Sequence, residues 1–381
     1  MNGGVNVTPQ RTAVDVAGRP KRAVFLAAGG TGGHLFPAEA LGRVLAHRNV
    51  PVELVTDERA TKYGGAFPTR AIHQIAAATP RGGGVATRLM AVATLARGTL
   101  SALWLLLRAR PAVVVGFGGY PTVPPLIAAT LLGIPTILHE ANAVMGRANR
   151  FLAGRVNAVA HGFAALPGVS PAIAAKARHT GNPVRPQVLE AAKLAFPDFA
   201  SGKLTLLVTG GSQGARVMSD IVPAAVALLS EAERGRLILV QQARGEDETR
   251  VTQAYAGLGV TAEVRPFFQD LPKRMAAAHL VIARAGASTV AELALIGRPA
   301  ILVPLPHALD QDQAANAAIL ADAGGALAVP QKDFTPQWLA AKLREALAAP
   351  EDLRRRAQQA RTVGIADAAE KLADLVGRFV E

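Results

Sequence analysis

Cysteine is absent from all 381 residues, which removes disulfide scaffolds, zinc fingers, Cys-ligated iron–sulfur clusters and thiol nucleophiles. The absence fits a reducing compartment. Aromatic residues make up only 4% of the chain, and its basic residues are scattered. Together with the lack of a recognised fold signature, this argues against nucleic acid as a partner. The first 22 residues, MNGGVNVTPQRTAVDVAGRPKR, lack the apolar run of about 7–15 that a secretory signal needs. Residues 1–20 read instead as a flexible extension before the first strand. The longest uncharged stretch, Pro111 to Leu138, carries Pro111, Pro121, Pro124, Pro125 and Pro135. A single lipid-spanning helix would lose backbone hydrogen bonds at those prolines that lipid cannot replace. It parses as a strand, a glycine loop, a short helix over 122–132 and a strand over 136–138. The expectation is a soluble chain.

Acidic residues are the minority charge, 28 against 41 basic, giving a formal net charge of +13. That excess calls for an anionic partner: nucleic acid, a membrane surface or a phosphorylated substrate. Half of the chain is apolar, far too much for a disordered basic tail, and the length suits two domains of roughly 150–200 residues. Strand-like runs alternate with Ala-rich helical stretches throughout. AVFLAA (23–28), VELVT (52–56), AVVV (112–115), TIL (136–138) and AVA (158–160) form one set. LTLLVT (204–209), RLILVQ (236–241), AEVRPF (262–267), LVIA (280–283) and AILVPL (300–305) form another. Such alternation predicts α/β domains with parallel sheets covered by helices on both faces. Each set opens on a strand running into glycines, AAGGTGGH (27–34) and TGGSQGAR (209–216). The stretch 181–203, with three prolines and two glycines, reads as the linker. The expectation is two Rossmann-like domains, 21–180 and 181–381.

A strand that ends in glycines and enters a helix offers unpaired N–H groups and a positive dipole end to an anion. Neither loop has the Gly-Lys-Ser/Thr of a P-loop, and neither spells G-x-G-x-x-G. Asp57, after the second strand, leaves a nicotinamide enzyme as an alternative. His34 follows the first loop, where it would act as a base or bond a phosphate or sugar hydroxyl, or simply make a local bond at a helix start. GFGGYP (116–121) and HEAN (139–142) follow strands in the same way and bring Glu140 and Asn142 to the same end of the sheet. Asn142 alone could be a helix N-cap. In ARAGASTVAEL (283–293), Glu292 could take ribose hydroxyls, or form a capping box with Thr289. Asp310 and Asp312 make a D-x-D of the kind that can hold a divalent metal, but two helix N-termini already supply positive potential, so no metal is required.

Residues 81–110 carry Arg81, Arg88, Arg97, Arg108 and Arg110 with no acid. At about 100° per residue Arg97 and Arg108 share a face and Arg88 points away. Gly98 could break the run into two helices. The segment reads as a buried crossover helix or as an arginine-rimmed apolar surface for an anionic bilayer.

Seven strings in order, GGTGGH (29–34), GFGGYP, HEAN, GNPVR (181–185), GGSQGAR (210–216), RAGASTVAE (284–292) and DQDQAANA (310–317), resemble the MurG family of bacterial glycosyltransferases from Lys21 onward. The resemblance implies the two-domain GT-B architecture, with two Rossmann-like domains facing across a deep cleft. The N-terminal domain would serve the acceptor and the membrane, and the C-terminal domain the UDP-sugar, with the last helix returning to the first domain. It implies an inverting transfer, without metal or cofactor, of N-acetylglucosamine from UDP-N-acetylglucosamine. The acceptor would be the 4-hydroxyl of the muramyl sugar on undecaprenyl-diphosphate (lipid I), giving lipid II for peptidoglycan. It further implies a peripheral enzyme at the cytoplasmic face of the inner membrane, among other cell-wall synthesis proteins. Thr31, Gly32 and Gly33 would line the first loop and Asn142 would contact the donor sugar. Arg185, Ser212, Gln213 and Gly214 would belong to the donor site. Ala287, Ser288, Thr289, Val290, Ala291 and Glu292 would hold nucleotide and ribose. Gln313 would meet the donor sugar, and Phe268 the uracil through its backbone. His34 is the first candidate for the base and Glu140 the second. Ala141, Phe268 and Asp312 stand where the family commonly has Gln, Ile, and Gln or His. A UDP-sugar epimerase of the same fold and a non-catalytic membrane or anion-binding protein are the competing readings.

Overall fold

The computed structural model describes residues 21–29, 32–58, 67–78, 84–211, 214–306 and 311–380, with the side chains of Val85, Ala86 and Arg88 excepted. The chain divides into two compact units, Met1–Arg185 with Asp367–Glu381, and Pro186–Ala366. The chain leaves the first unit after Arg185 rather than after Thr180. The amides of Thr180 and Gly181 donate to His161 O at 3.1 and 3.3 Å, and Asn182 Nδ2 donates to Ala141 O at 2.8 Å. These bonds hold the start of the linker to the first sheet.

In the first unit, β1 (Val24–Ala27), β2 (Val52–Thr56), β3 (Ala71–Gln74), β4 (Val113–Gly116), β5 (Thr136–Glu140), β6 (Ala158–His161) and β7 (Ala177–His179) form one sheet. Its order is β3-β2-β1-β4-β5-β6-β7, and neighbouring strands pair in parallel. Helices α1 (Gly32–His47), α2 (Val85–Ala109), α3 (Val123–Leu131), α4 (Arg147–Ala153) and α5 (Pro171–Lys176) connect the strands. Side chains alternate faces along a strand, and both faces are covered. Val24 and Leu26 enter the core shared with Leu41 and Leu372, whereas Phe25 and Ala27 enter the core shared with Leu126 and Leu152. That two-sided burial is why the central strands are continuous apolar runs. Leu372 and Val376, in the last helix, pack with Leu35, Leu41 and Leu45 of α1, and Arg48 Nη1 pairs with Asp374 Oδ1 at 2.7 Å.

Gly98 does not break α2, which is one 25-residue helix. A methyl at Gly98 would strike the Ala76 carbonyl and lie 3.2 Å from Pro124 Cγ, so this glycine permits the close approach of α2 to the sheet edge and α3.

The second unit runs α6 (Pro186–Ala192), β8 (Leu204–Thr209), α7 (Arg216–Ala227), α8 (Glu231–Arg234), β9 (Leu237–Gln242), α9 (Gly245–Gly257), β10 (Thr261–Arg265), α10 (Leu271–Ala277), β11 (Leu280–Ala283), α11 (Ala287–Ile296), β12 (Ala300–Leu302), α12 (Asp312–Asp322), β13 (Ala326–Ala328), α13 (Pro336–Ala348) and α14 (Pro350–Arg361). The helix α15 (Ala368–Gly377) closes the chain in the first unit. The second sheet is ordered β10-β9-β8-β11-β12-β13. Counted within each unit, the second sheet runs 3-2-1-4-5-6 and the first runs the same with a seventh strand added at its edge, the doubly wound order that reverses beside the first strand. Ligands bind such folds at the carboxyl ends of the strands around that reversal. In the first unit the reversal lies between β1 and β4, and in the second between β8 and β11.

Candidate functional site

The loops at the two reversals carry most of the motif residues. In the first unit α1 starts at Gly32, so Gly32, Gly33 and His34 form its first turn. Opposite them lies the turn after β4. Gly118 and Gly119 have φ of 91° and 74°, a left-handed region that only glycine enters without strain. A methyl on Gly118 would stand 3.3 Å from His34 Cε1, and one on Gly119 3.2 Å from His34 Nε2. The two glycines therefore form the wall against which the imidazole rests. Arg185 lies with its guanidinium carbon 4.0 Å from the centre of the Phe36 ring, which brings the end of GNPVR onto the first turns of α1.

The HEAN motif lies at the end of β5. Glu140 is 2% exposed, and its carboxylate is fully engaged. Oε1 accepts from Asn142 N at 2.8 Å and from Asn142 Nδ2 at 3.2 Å. Oε2 accepts from Gly146 N at 2.9 Å and Asn149 Nδ2 at 2.7 Å. Burial raises its pKa above the usual carboxylate value, against these four bonds. The arrangement holds the 141–146 loop in place. Asn142 is no helix N-cap, because α4 starts at Arg147 with Gly146 before it.

His139 is fully buried, with Nε2 3.3 Å from Gly181 O. Burial pushes its pKa down to about 4, with a smaller contribution from the neighbouring His161 and His34. Its Nδ1, Asn149 Oδ1 and Asn182 Oδ1 are enclosed without a hydrogen-bond partner among the described residues. Asn149 belongs to none of the strings singled out in the sequence, and of GNPVR only Arg185, not Asn182, carried an expected role. Asp57 is buried with Oδ1 2.9 Å from where a methyl on Gly29 would stand. It packs against the start of the first loop.

In the second unit, GGSQGAR follows β8. Gly214 lies against the aliphatic part of Arg244, whose Cγ would be 2.9 Å from an added methyl. Next to it, α11 starts at Ala287 with Gly286 as its N-cap and no side-chain cap bond. The capping box of Thr289 and Glu292 is therefore not formed, and both residues lie within the helix. The first N–H groups of such a helix have no carbonyl one turn earlier. Ser288 Oγ is enclosed and has no hydrogen-bond partner among the described residues, and Glu292 is 6% exposed. Asn316 Nδ2 donates to Ala285 O at 3.1 Å, tying α12 to the start of α11. Gln313 Oε1 accepts from Leu305 N at 3.0 Å. Arg284 donates to the carbonyls of Val303 and Pro304 and to Gln331 Oε1, and burial lowers its pKa.

Phe268 is buried, with the Arg274 guanidinium 4.3 Å from its ring centre. Only its backbone and the 65%-exposed ring of Phe267 are available at the end of β10. Thr31, Ser212, Gln213 and Asp310 lie outside the described residues, as does the extension 1–20. No group of three or more metal-binding side chains occurs among the described residues.

The surface of α2 is the third feature. Ala91, Gly98, Ala102 and Leu106 form its buried stripe. Leu89, Met90, Val92, Leu100, Trp104 and Leu107 are each more than half exposed, and recur at about the helical period. Arg108 lies 4.8 Å over the Trp104 ring. Leu131 of α3 and Phe151 of α4 are exposed as well, the latter under Arg155 at 4.6 Å. Among the described residues α2 is the one helix long and apolar enough to cross a membrane by length and composition.

Comparison with known proteins matches residues 24–161 to the glycosyltransferase family 28 N-terminal domain and 205–372 to its C-terminal domain. A protein of Methylobacterium sp. (strain 4-46), named UDP-N-acetylglucosamine--N-acetylmuramyl-(pentapeptide) pyrophosphoryl-undecaprenol N-acetylglucosamine transferase, is 58% identical over 355 residues. The match covers 93% of this chain and 95% of the relative. The crystal structure of Acinetobacter baumannii MurG superposes with a TM-score of 0.75 at 31% identity, covering 94% of this chain and 99% of that one. A putative UDP-N-acetylglucosamine 2-epimerase from Listeria monocytogenes has a TM-score of 0.67 at 15% identity, covering 93% of this chain and 96% of that one. That likeness is one of fold alone.

Proposed function

The chain belongs to glycosyltransferase family 28, in its MurG branch, and on that premise we propose how it works. It transfers N-acetylglucosamine from UDP-N-acetylglucosamine to the muramyl 4-hydroxyl of lipid I, forming lipid II. The observation that carries the reading is that four of the seven family strings, GGTGGH, GFGGYP, GGSQGAR and RAGASTVAE, follow β1, β4, β8 and β11, the strands that flank the two reversals, where such folds bind their ligands. The epimerase reading has only a fold likeness at 15% identity behind it.

The second unit binds the donor. Helix α11 directs its unpaired N–H groups and Ser288 toward the diphosphate, and Glu292 accepts from the ribose hydroxyls. Phe267 supplies an exposed ring for the uracil beside the backbone of Phe268. Gly214 belongs to the diphosphate loop, to which the family resemblance also assigns Ser212 and Gln213, and Gln313 recognises the sugar. A helix N-terminus contributes about 0.3–1 kcal/mol when exposed and up to ~2 when partly buried, so several such donors must act together on the charge growing on the leaving UDP.

The first unit carries the base. His34, set against Gly118 and Gly119, takes the proton of the attacking hydroxyl as the C–O bond forms and UDP departs with inversion. Glu140 is a positioning residue: its oxygens already accept four hydrogen bonds, and it keeps Asn142 and the 141–146 loop in register. The exposed apolar face of α2, with Arg97 and Arg108 beside it, rests on the anionic cytoplasmic surface of the inner membrane, where the lipid-linked acceptor lies.

The test is transfer of labelled N-acetylglucosamine from its UDP donor to a lipid-diphosphate muramyl-peptide acceptor. Product that requires the acceptor is expected. Formation of UDP-N-acetylmannosamine without acceptor would establish the epimerase instead.

A further inference from the structure

One buried amide that no motif contains joins two parts of the donor-binding unit. Gln242, the last residue of β9, is 6% exposed. Its Oε1 accepts from Thr209 Oγ1 at 2.8 Å and from Gly210 N at 3.3 Å. Its Nε2 donates to Pro266 O at 3.2 Å. Thr209 Oγ1 in turn accepts from Gly211 N at 3.3 Å.

The directions in this chain of bonds are forced. An amide N–H can only donate, so the Gly211 bond uses a lone pair on Thr209 and leaves the Thr209 hydrogen for Gln242. Gln242 must then present its oxygen to Thr209 and Gly210, and its NH2 group to Pro266. A flipped amide would set donor against donor at Gly210 and acceptor against acceptor at Pro266.

On one side of this amide lies the glycine loop after β8. On the other lies the turn at 266–268, which carries Phe267 and Phe268. The neighbouring Gln241 anchors a different element: it accepts from the Tyr255 hydroxyl, and its Nε2 donates to Met218 O in α7 at 3.4 Å. The two consecutive glutamines thus divide the work, one holding the helix and the other the ligand-facing loops.

We infer that Gln242 is a positioning residue that sets the diphosphate loop and the uracil turn at a fixed separation matched to a nucleoside diphosphate. This rests on the reading of the second unit as the UDP-sugar site. The amides of Gly210 and Gly211 are used inside this network, so they brace the loop and do not bind phosphate. Donors to the diphosphate come from beyond Gly211. A pre-set separation removes an ordering cost that the ligand would otherwise bear on binding.

The test compares Gln242→Leu, which removes all three bonds, with Thr209→Val, an isosteric change that removes only the hydroxyl and protects the test against a folding failure. UDP affinity is measured by calorimetry, together with KM for donor and acceptor and kcat. For Gln242→Leu the expected result is a rise of about tenfold or more in UDP Kd and donor KM, equivalent to ~1.4 kcal/mol. Acceptor KM should stay within twofold and kcat at saturating donor within threefold. Thr209→Val should raise donor KM by about threefold. A purely structural role would lower the melting temperature and the active fraction, hence kcat, and leave donor KM alone. That result, or UDP binding within twofold of wild type in both variants, overturns the inference. Failure of the wild-type chain to bind UDP would instead overturn the donor-site reading itself.

Discussion

At the end of β5 in the first unit, His139 Nδ1, Asn149 Oδ1 and Asn182 Oδ1 are enclosed without hydrogen-bond partners among the described residues. At the end of β8 in the second unit, Gly210, Gly211, Thr209 and Gln242 satisfy one another in a closed chain. The same strand order thus serves two purposes. Buried unpaired polar atoms are costly and are tolerated chiefly where chemistry needs them, whereas a satisfied network rigidifies a loop. The proposed division places proton transfer in the first unit and ligand holding in the second.

The sharpest way to break this division is His34→Ala. Loss of a general base lowers turnover by about 10²–10⁴-fold, and steady-state kinetics at saturating substrates should show it. Near-normal kcat would remove His34 as the base. Next comes the α2 face, which separates the first unit from the second in a different way. Replacing Leu100, Trp104 and Leu107 together by Ser should weaken binding to anionic vesicles by about 100-fold or more, since each large side chain contributes roughly 1.5–3 kcal/mol when fully buried. Co-sedimentation measures it, and soluble-acceptor turnover should stay within a few-fold. Unchanged vesicle binding would move the membrane contact elsewhere.

Gly119→Ala should cost about tenfold in kcat, because its methyl meets His34 Nε2 and its φ is 74°. Donor KM should hardly move. A rise in donor KM instead would tie this turn to the donor.

The smallest effect is on pH stability. The folded pKa of His139 is about 4, below the ordinary 6.5, so the unfolded chain takes up the proton first. Stability from this group is present above about pH 6.5 and is lost as pH falls toward 4. Glu140, with its raised pKa, opposes this: the folded state holds its proton longer, so its contribution is lost as pH rises through the shifted value. Melting curves from pH 8 to 5 should fall in the wild type and flatten in His139→Gln. An equal slope in both would exclude His139 as the source.

The central strands were legible because residues buried on both sheet faces read as unbroken apolar runs. The short strands β3, β7 and β13 were not, since Ala71–Gln74 and Ala177–His179 contain no fully buried residue and Ala326–Ala328 has one. Helix starts misled for a related reason. Gly146 and Gly286 precede α4 and α11, and a glycine cap offers no side chain to recognise, so Asn142 and Thr289 stood as the alternative caps. Motif spacing led to His34, Glu140 and Glu292 but could not distinguish a base from a brace. The bracing role proposed for Glu140 rests on the four bonds that occupy its carboxylate, which no spacing reveals. Gln242 and Asn149 had no pattern at all, because their partners are distant in sequence.

The division of labour is tested most directly by UDP calorimetry on two variants of the full chain, His34→Ala and Glu292→Gln. His34→Ala should bind UDP within twofold of wild type while losing turnover. Glu292→Gln should weaken UDP by about tenfold, as expected for losing a charged acceptor to a hydroxyl pair. Equal loss of UDP affinity in both, or loss in His34→Ala alone, would contradict it.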